Sequence, residues 1–195
     1  MKMVRFEKWF INKDKHGQKV IERTEKLLEL IDKSEKKDYL EVGCGNGSVC
    51  NYLAETYLWN VTGVDVDPEQ IQLAKERSTN LENIRFLEAD ATELPFEDNG
   101  FDIVLSFGAT HHIPDWPAAL GEIKRVLKTE GYFIYYDLIY PEWLARLGRS
   151  FKHGYGIVTM LEFKSFVLES DYREIHSCTR NSIIWYDYEA IYRSV

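Results

Sequence analysis

The run Glu41-Val42-Gly43-Cys44-Gly45-Asn46-Gly47 leaves this chain few folds to choose from. Three glycines at alternate positions let a backbone reverse within a few residues and bring its N–H groups against a ligand. What flanks them gives the turn its meaning. Tyr39-Leu40-Glu41-Val42 reads as a short buried strand, and beyond Gly47 the spacing of Val49, Tyr52 and Leu53 puts them on one face of a helix. A strand, a glycine turn and a helix in that order form the ligand-binding unit of parallel α/β sheets, with the ligand at the strands' carboxyl ends. The helix N-terminus adds partial positive charge suited to a carboxylate or phosphate.

The rest of the chain keeps the same alternation. Val20, Ile21, Thr24, Leu27, Leu28 and Ile31 predict a first helix; strands are expected at 61–65, 84–88, 101–107 and 132–139, and helices at 68–78, 118–127 and 160–169. Residues 101–107 are apolar on both faces, as a central parallel strand should be. Two β-rich runs, 173–179 and 183–188, with Arg180-Asn181 as a turn, predict an antiparallel pair at the sheet's end. The length, 195 residues without repeats or a proline-rich linker, predicts a single α/β domain over 1–195.

The acidic residues narrow the ligand. A dinucleotide fingerprint is G-x-G-x-x-G, but here Ser48 takes the third glycine position and Glu41 would face a pyrophosphate. Glu41 would instead attract an ammonium or sulfonium. Asp65 ends the second strand, where a carboxylate can accept both hydroxyls of an adenosine ribose. Asp67 competes for that role, but it precedes Pro68 and has Gln70 three places on, which makes it a helix N-cap. The ribose role therefore falls to Asp65. Charge agrees: residues 38–139 carry 18 acidic and 6 basic side chains, against 7 and 11 in 1–37 and 7 and 7 in 140–195. A block at −12 disfavours a nucleic-acid partner and suits a cationic ligand.

Hydrophobic residues make up 45% of the chain, enough for a substantial core, yet the longest apolar runs are too short to span a bilayer. No apolar signal-peptide core follows Met1–Arg5, and Cys44, Cys50 and Cys178 make neither a disulfide framework nor a zinc spacing. The expectation is a soluble cytoplasmic protein without a metal.

Together these motifs resemble the class I S-adenosylmethionine (SAM)-dependent methyltransferases, in the small-molecule branch similar to ubiquinone and menaquinone methyltransferases. Leu40-Glu41-Val42-Gly43-Cys44-Gly45-Asn46-Gly47 looks like the first motif and Val61-Thr62-Gly63-Val64-Asp65 like the second. Glu88-Ala89-Asp90-Ala91-Thr92-Glu93-Leu94-Pro95-Phe96 looks like the third, with Phe101 to Ser106 and Glu122 to Lys128 matching the fourth strand and the helix after it. The resemblance implies a Rossmann-like, doubly wound, seven-stranded, mostly parallel sheet with an antiparallel last strand and helices on both faces. It implies SAM as methyl donor and S-adenosylhomocysteine as product. It implies a cofactor site of Glu41, Gly43, Cys44, Gly45, Asp65, Val66, Asp90, Ala91 and Ser106, with Asp90 on the adenine amino group. One departure is visible: the family's Lys-Pro-Gly-Gly before the fifth strand is Lys128-Thr129-Glu130-Gly131 here.

Methyl transfer from a sulfonium is an in-line displacement that needs a base only when the acceptor arrives protonated. His111 and His112, after the fourth strand, are the candidate bases; packing within their own loop is the alternative. The acceptor cover is expected from two regions. One is the N-terminal helical part, 1–37, with Trp9 and Phe10; the other is an insertion at 140–158, with Trp143 and Tyr155. The expected acceptor is a small molecule. Two other readings stay open: a SAM-binding sensor or partner subunit without transferase activity, and an NAD-dependent oxidoreductase.

Overall fold

The computed structural model describes residues 14–150, 156–182 and 184–195. Its strands are β1 (Asp38–Val42), β2 (Asn60–Asp65), β3 (Ile84–Glu88), β4 (Phe101–Phe107), β5 (Leu127–Ile139), β6 (Tyr172–Asn181) and β7 (Tyr186–Ser194). They form one sheet in the order β3-β2-β1-β4-β5-β7-β6. The first five run parallel, and β7 is antiparallel to both β5 and β6. The helices are α1 (Asp14–Leu28), α2 (Ser48–Thr56), α3 (Pro68–Arg77), α4 (Trp116–Val126), α5 (Glu142–Ser150) and α6 (Met160–Glu169).

Successive strand residues face opposite sides, and two cores follow. Tyr39, Val61, Ile103, Leu105 and Ile134 pack with Leu27 and Leu28 of α1, Leu53 of α2 and Ile71 of α3. Leu40, Val104, Phe133 and Tyr135 pack on the other face with Leu120 and Ile123 of α4 and Phe163 of α6. This is the doubly wound architecture the motifs imply. The sequence order of strands reverses beside β1, which has β2 on one side and β4 on the other. There Val42 pairs with Ser106, so the glycine turn and the histidine-bearing turn leave adjacent strand ends.

The tail differs from expectation. The connection between β6 and β7 is not at Arg180-Asn181, which belong to β6; it is closed by Ser182 N donating to Trp185 O at 3.0 Å. β7 starts at Tyr186 rather than at 183 and runs on to Ser194. Its buried stretch is Tyr188 to Tyr192, which includes Glu189, and a charge inside the run hid its length. Arg23 of α1 answers that charge at 2.7 Å.

Glu130 adopts a left-handed φ of 64° within β5, at the irregularity between its parallel pairings at Leu127 and Tyr132, where the resembled family has glycine. An L-residue there costs about 1–2 kcal/mol. Its exposed ion pair with Arg193, at 2.6 Å, returns at most about 1 kcal/mol. Glu130→Gly is therefore expected to stabilise the fold by about 0.5–1 kcal/mol, read as a higher denaturant midpoint at unchanged slope.

Candidate active site

A cavity of about 750 Å³ opens at the carboxyl ends of β1, β2, β4 and β5, the size of an ordinary cofactor or ligand site. Its lining carries six acidic side chains and, among the described residues, no lysine or arginine. A pyrophosphate would find no fixed cation there, whereas a cationic, donor-rich ligand suits it.

The glycine turn forms one wall. Gly43, Gly45 and Gly47 have φ of 77°, 52° and 73°, the left-handed region that only glycine enters at little cost. At Gly43 space is also decisive: a Cβ would stand 2.5 Å from that of Ala109 in the opposite turn. The turn's N–H groups do not all face the ligand, as the sequence suggested. Gly43 N and Cys44 N donate to Val64 O at 2.8 and 2.9 Å, and Gly45 N donates to Asp65 Oδ2 at 3.0 Å. These bonds tie the turn to β2 and aim the Asp65 carboxylate.

Asp65 is buried at the tip of β2, and its other oxygen accepts from Asp67 N at 2.9 Å. A carboxylate offers about four acceptor sites, so two vicinal hydroxyls suit it. Asp67 caps α3, accepting from Glu69 N at 3.0 Å with Pro68 next to it. The capping box foreseen with Gln70 is not formed, since the buried Gln70 amide makes no hydrogen bond among the described residues. Asp90 accepts from Thr92 N and Thr92 Oγ1 at 2.9 and 2.7 Å, and these bonds hold its carboxyl below the usual range. It stays an ionised acceptor, as an amino group requires. Val66 and Ala91 line the cavity beside these two. Asp65→Ala is expected to weaken SAM binding about tenfold to a hundredfold, one hydrogen bond to a charged group. An unchanged dissociation constant in calorimetry would remove Asp65 from the site.

Glu41 lines the cavity at 4% exposure and accepts from Cys50 Sγ at 2.8 Å. Burial pushes its carboxyl up to about 8; the thiol contact opposes this and the Asp65 charge adds to it. An acid raised in the folded state contributes most below its unfolded value of 4.5, and the contribution is lost as pH climbs toward 8. The ligand-free protein should therefore lose thermal stability across that window, and Glu41→Gln should flatten the slope. Parallel melting curves would show Glu41 to be ionised throughout.

The opposite wall is a one-turn 3-10 segment, Thr110–His112, after β4. His111 Nδ1 lies 2.5 Å from Asp137 Oδ1, and His111 N donates to Asp137 Oδ2 at 3.2 Å. Asp137 comes from β5, its side chain fully buried, and also accepts from Leu138 N at 2.7 Å. A carboxylate oxygen accepts here, so Nδ1–H donates to it and Nε2 is the ring nitrogen left to accept a proton. The His112 ring lies 3.9 Å from that of His111, and both rings line the cavity. Beside them Phe107 stacks on Tyr136 at 4.3 Å, and Arg23 of α1 covers Tyr136 at 4.1 Å.

The structure thus brings Glu41, Gly43, Cys44, Gly45, Asp65, Val66, Asp90, Ala91, His111 and His112 to one cavity. Ser106 is buried behind its wall, 3.4 Å from Thr110 Oγ1. Trp143 of α5 is exposed and lies outside the lining. Trp9, Phe10 and Tyr155 lie outside the described residues. The sequence reading missed Asp137 and Tyr136, although an acid inside a buried apolar strand, just before its end at Ile139, is a local signal. It also missed His16 and Gly17 of α1, which line the cavity without one. Among the described residues no group of three or more metal-ligating side chains is placed to hold an ion, and no helix is long and apolar enough to cross a membrane.

Residues 40–135, from β1 into β5, match the family described as a methyltransferase domain, and the seven-stranded sheet that carries them has the Rossmann-like fold of the class I SAM-dependent methyltransferases. Among curated relatives, the chain is 40% identical over 116 residues to a fatty-acid O-methyltransferase of Mycolicibacterium smegmatis, covering 56% of this chain and 41% of that protein. It is 40% identical over 119 residues to phthiotriol/phenolphthiotriol dimycocerosates methyltransferase 1 of Mycobacterium ulcerans, covering 58% and 44%. The matches thus span less than half the length of these relatives. Among solved structures, the PH0226 protein of Pyrococcus horikoshii OT3 superposes with a TM-score of 0.75 at 26% identity, covering 95% of this chain and 93% of that one.

Proposed function

We propose that this chain transfers the methyl group of SAM to a hydroxyl of a small, largely apolar molecule. The observation that carries the reading is the His111–Asp137 pair on the wall of the cavity that also holds Asp65 and Asp90. The donor supplies an electrophilic methyl carbon on a good leaving group. The chain supplies placement, proton transfer and exclusion of water.

Asp65 and Asp90 accept hydrogen bonds from the ribose hydroxyls and the adenine amino group, and Glu41 lies toward the cationic end. Nε2 of His111 takes the acceptor's hydroxyl proton as its oxygen takes the methyl group. Asp137 fixes the tautomer and stabilises the imidazolium that results. Phe107, Tyr136 and Leu138 give the acceptor an apolar wall. The two relatives' names, which give a fatty acid and phthiotriol/phenolphthiotriol dimycocerosates as substrates, support an apolar acceptor.

The test is S-adenosylhomocysteine release from SAM by ligand-stripped protein, with a long-chain alcohol, a phenol, a fatty acid or no acceptor. Release above the acceptor-free rate with a hydroxyl compound supports the reading. SAM binding without release from any of them favours the sensor; NAD binding in place of SAM overturns the cofactor assignment.

A further inference from the structure

The glycine turn carries one thiol and the helix after it carries another. Cys44 lies between Gly43 and Gly45, and Cys50 lies in the first turn of α2. Gly47 N donates to Cys44 O at 3.0 Å, which folds the turn so that α2 starts beside Cys44. Gly63 of β2 leaves room for the first thiol, since a Cβ there would stand 2.9 Å from Cys44 Sγ. The two thiols meet in the core shared by α1, α2 and α3, each in hydrogen-bond contact with the other. Cys50 Sγ also donates to Glu41 Oε2 at 2.8 Å. Both cysteines are free.

Their access differs. Cys44 lines the cavity, whereas Cys50 is fully buried and does not. A small oxidant that enters the cavity without cofactor therefore reaches Cys44 first. Burial pushes both thiols up, and at Cys44 the Cys50 contact opposes that rise. Cys44 is thus the thiol that attacks. Cys50, which touches both Cys44 and Glu41, is placed to resolve. A bound cofactor fills the cavity and shields the pair.

We propose that hydrogen peroxide entering the cavity joins Cys44 and Cys50 in a reversible disulfide, and that this bond weakens SAM binding. Cys44 Sγ attacks one peroxide oxygen, the O–O bond breaks, and the thiol proton leaves with the departing oxygen as water. Cys50 Sγ then attacks the sulfenic sulfur. The S–S bond forms, the S–OH bond breaks, and the Cys50 proton passes through Glu41 to the departing hydroxide as a second water. The two thiols lose two electrons, and the peroxide takes them up.

Glu41 couples the bond to the cofactor. The disulfide removes the thiol donor that favours the ionised carboxyl, while the burial that disfavours it stays. A neutral Glu41 no longer attracts the cationic end of SAM. The disulfide depends neither on a hydroxyl acceptor nor on methyl transfer.

The test is peroxide treatment of the ligand-stripped Cys178→Ser chain, followed by thiol counting, intact mass and calorimetric titration with SAM. Both remaining thiols should disappear together with loss of two hydrogens, and dithiothreitol should restore them. S-adenosylhomocysteine at about ten times its dissociation constant should slow the reaction about tenfold. The oxidised chain should bind SAM about tenfold more weakly, the loss of one contact to a charged group. Cys50→Ser should abolish the response to peroxide. Cys50→Ala, which removes the donor as well, should bind SAM more weakly than Cys50→Ser before any oxidation. Thiols that stay unreacted, oxygen added to Cys44 with Cys50 still free, or a disulfide that leaves SAM affinity unchanged overturns the proposal. So does oxidation at the same rate with the cavity filled.

Discussion

His111→Asn is expected to lower turnover about a hundredfold to ten-thousandfold, the usual contribution of a placed general base. SAM affinity should stay within about threefold, because the imidazole serves the acceptor and not the cofactor. Asp137→Asn tests the pair from the other side: its single amide oxygen can keep the bond from His111 N or the one from Leu138 N, which now fall on different oxygens, and the neutral amide no longer holds the imidazolium. It should lower kcat more than it raises KM. Full turnover in both variants, with a hydroxyl acceptor in hand, would take the pair out of the reaction.

Gly43→Ala is the second large effect, and it acts on the fold of the site. At φ 77° an L-residue costs about 1–2 kcal/mol. The new Cβ, 2.5 Å from Ala109 Cβ, adds about 1–3 kcal/mol of overpacking. The combined loss, about 2–5 kcal/mol, should appear as a lower denaturant midpoint together with weaker SAM binding. Ala109→Gly in the same chain should restore the steric part and leave the backbone part. A double variant no more stable than the single would show that the two turns are not in contact.

The fold was legible where one strand or helix carries its own signal. Residues 101–107 lie between Gly100 and Gly108 and are apolar on both faces, and β4 has those bounds. The 160–169 helix was equally plain, and Thr159 caps it through a box with Glu162. β7 was not, because Glu189 breaks the apolar run and its partner Arg23 comes from the far end of the chain. The cofactor wall was legible because the glycine turn and Asp65 are local motifs. The acceptor wall was only half so: His111 follows a strand, but Asp137 gains its meaning from β4–β5 pairing. Nothing local announces that α1 brings His16 and Gly17 to the cavity.

The pinning of residues 140–158 has a consequence for how such a chain can diversify. Tyr140 N donates to Val158 O and Gly156 N donates to His111 O, which fixes the two ends, while α5, which opens the stretch between them, takes no part in the strand pairings of the sheet. Length and composition between those anchors can drift, or be exchanged by grafting, with the histidine turn and β5 keeping their places. Selectivity for the molecule being modified and the chemistry done on it can therefore evolve at separate rates in one small domain.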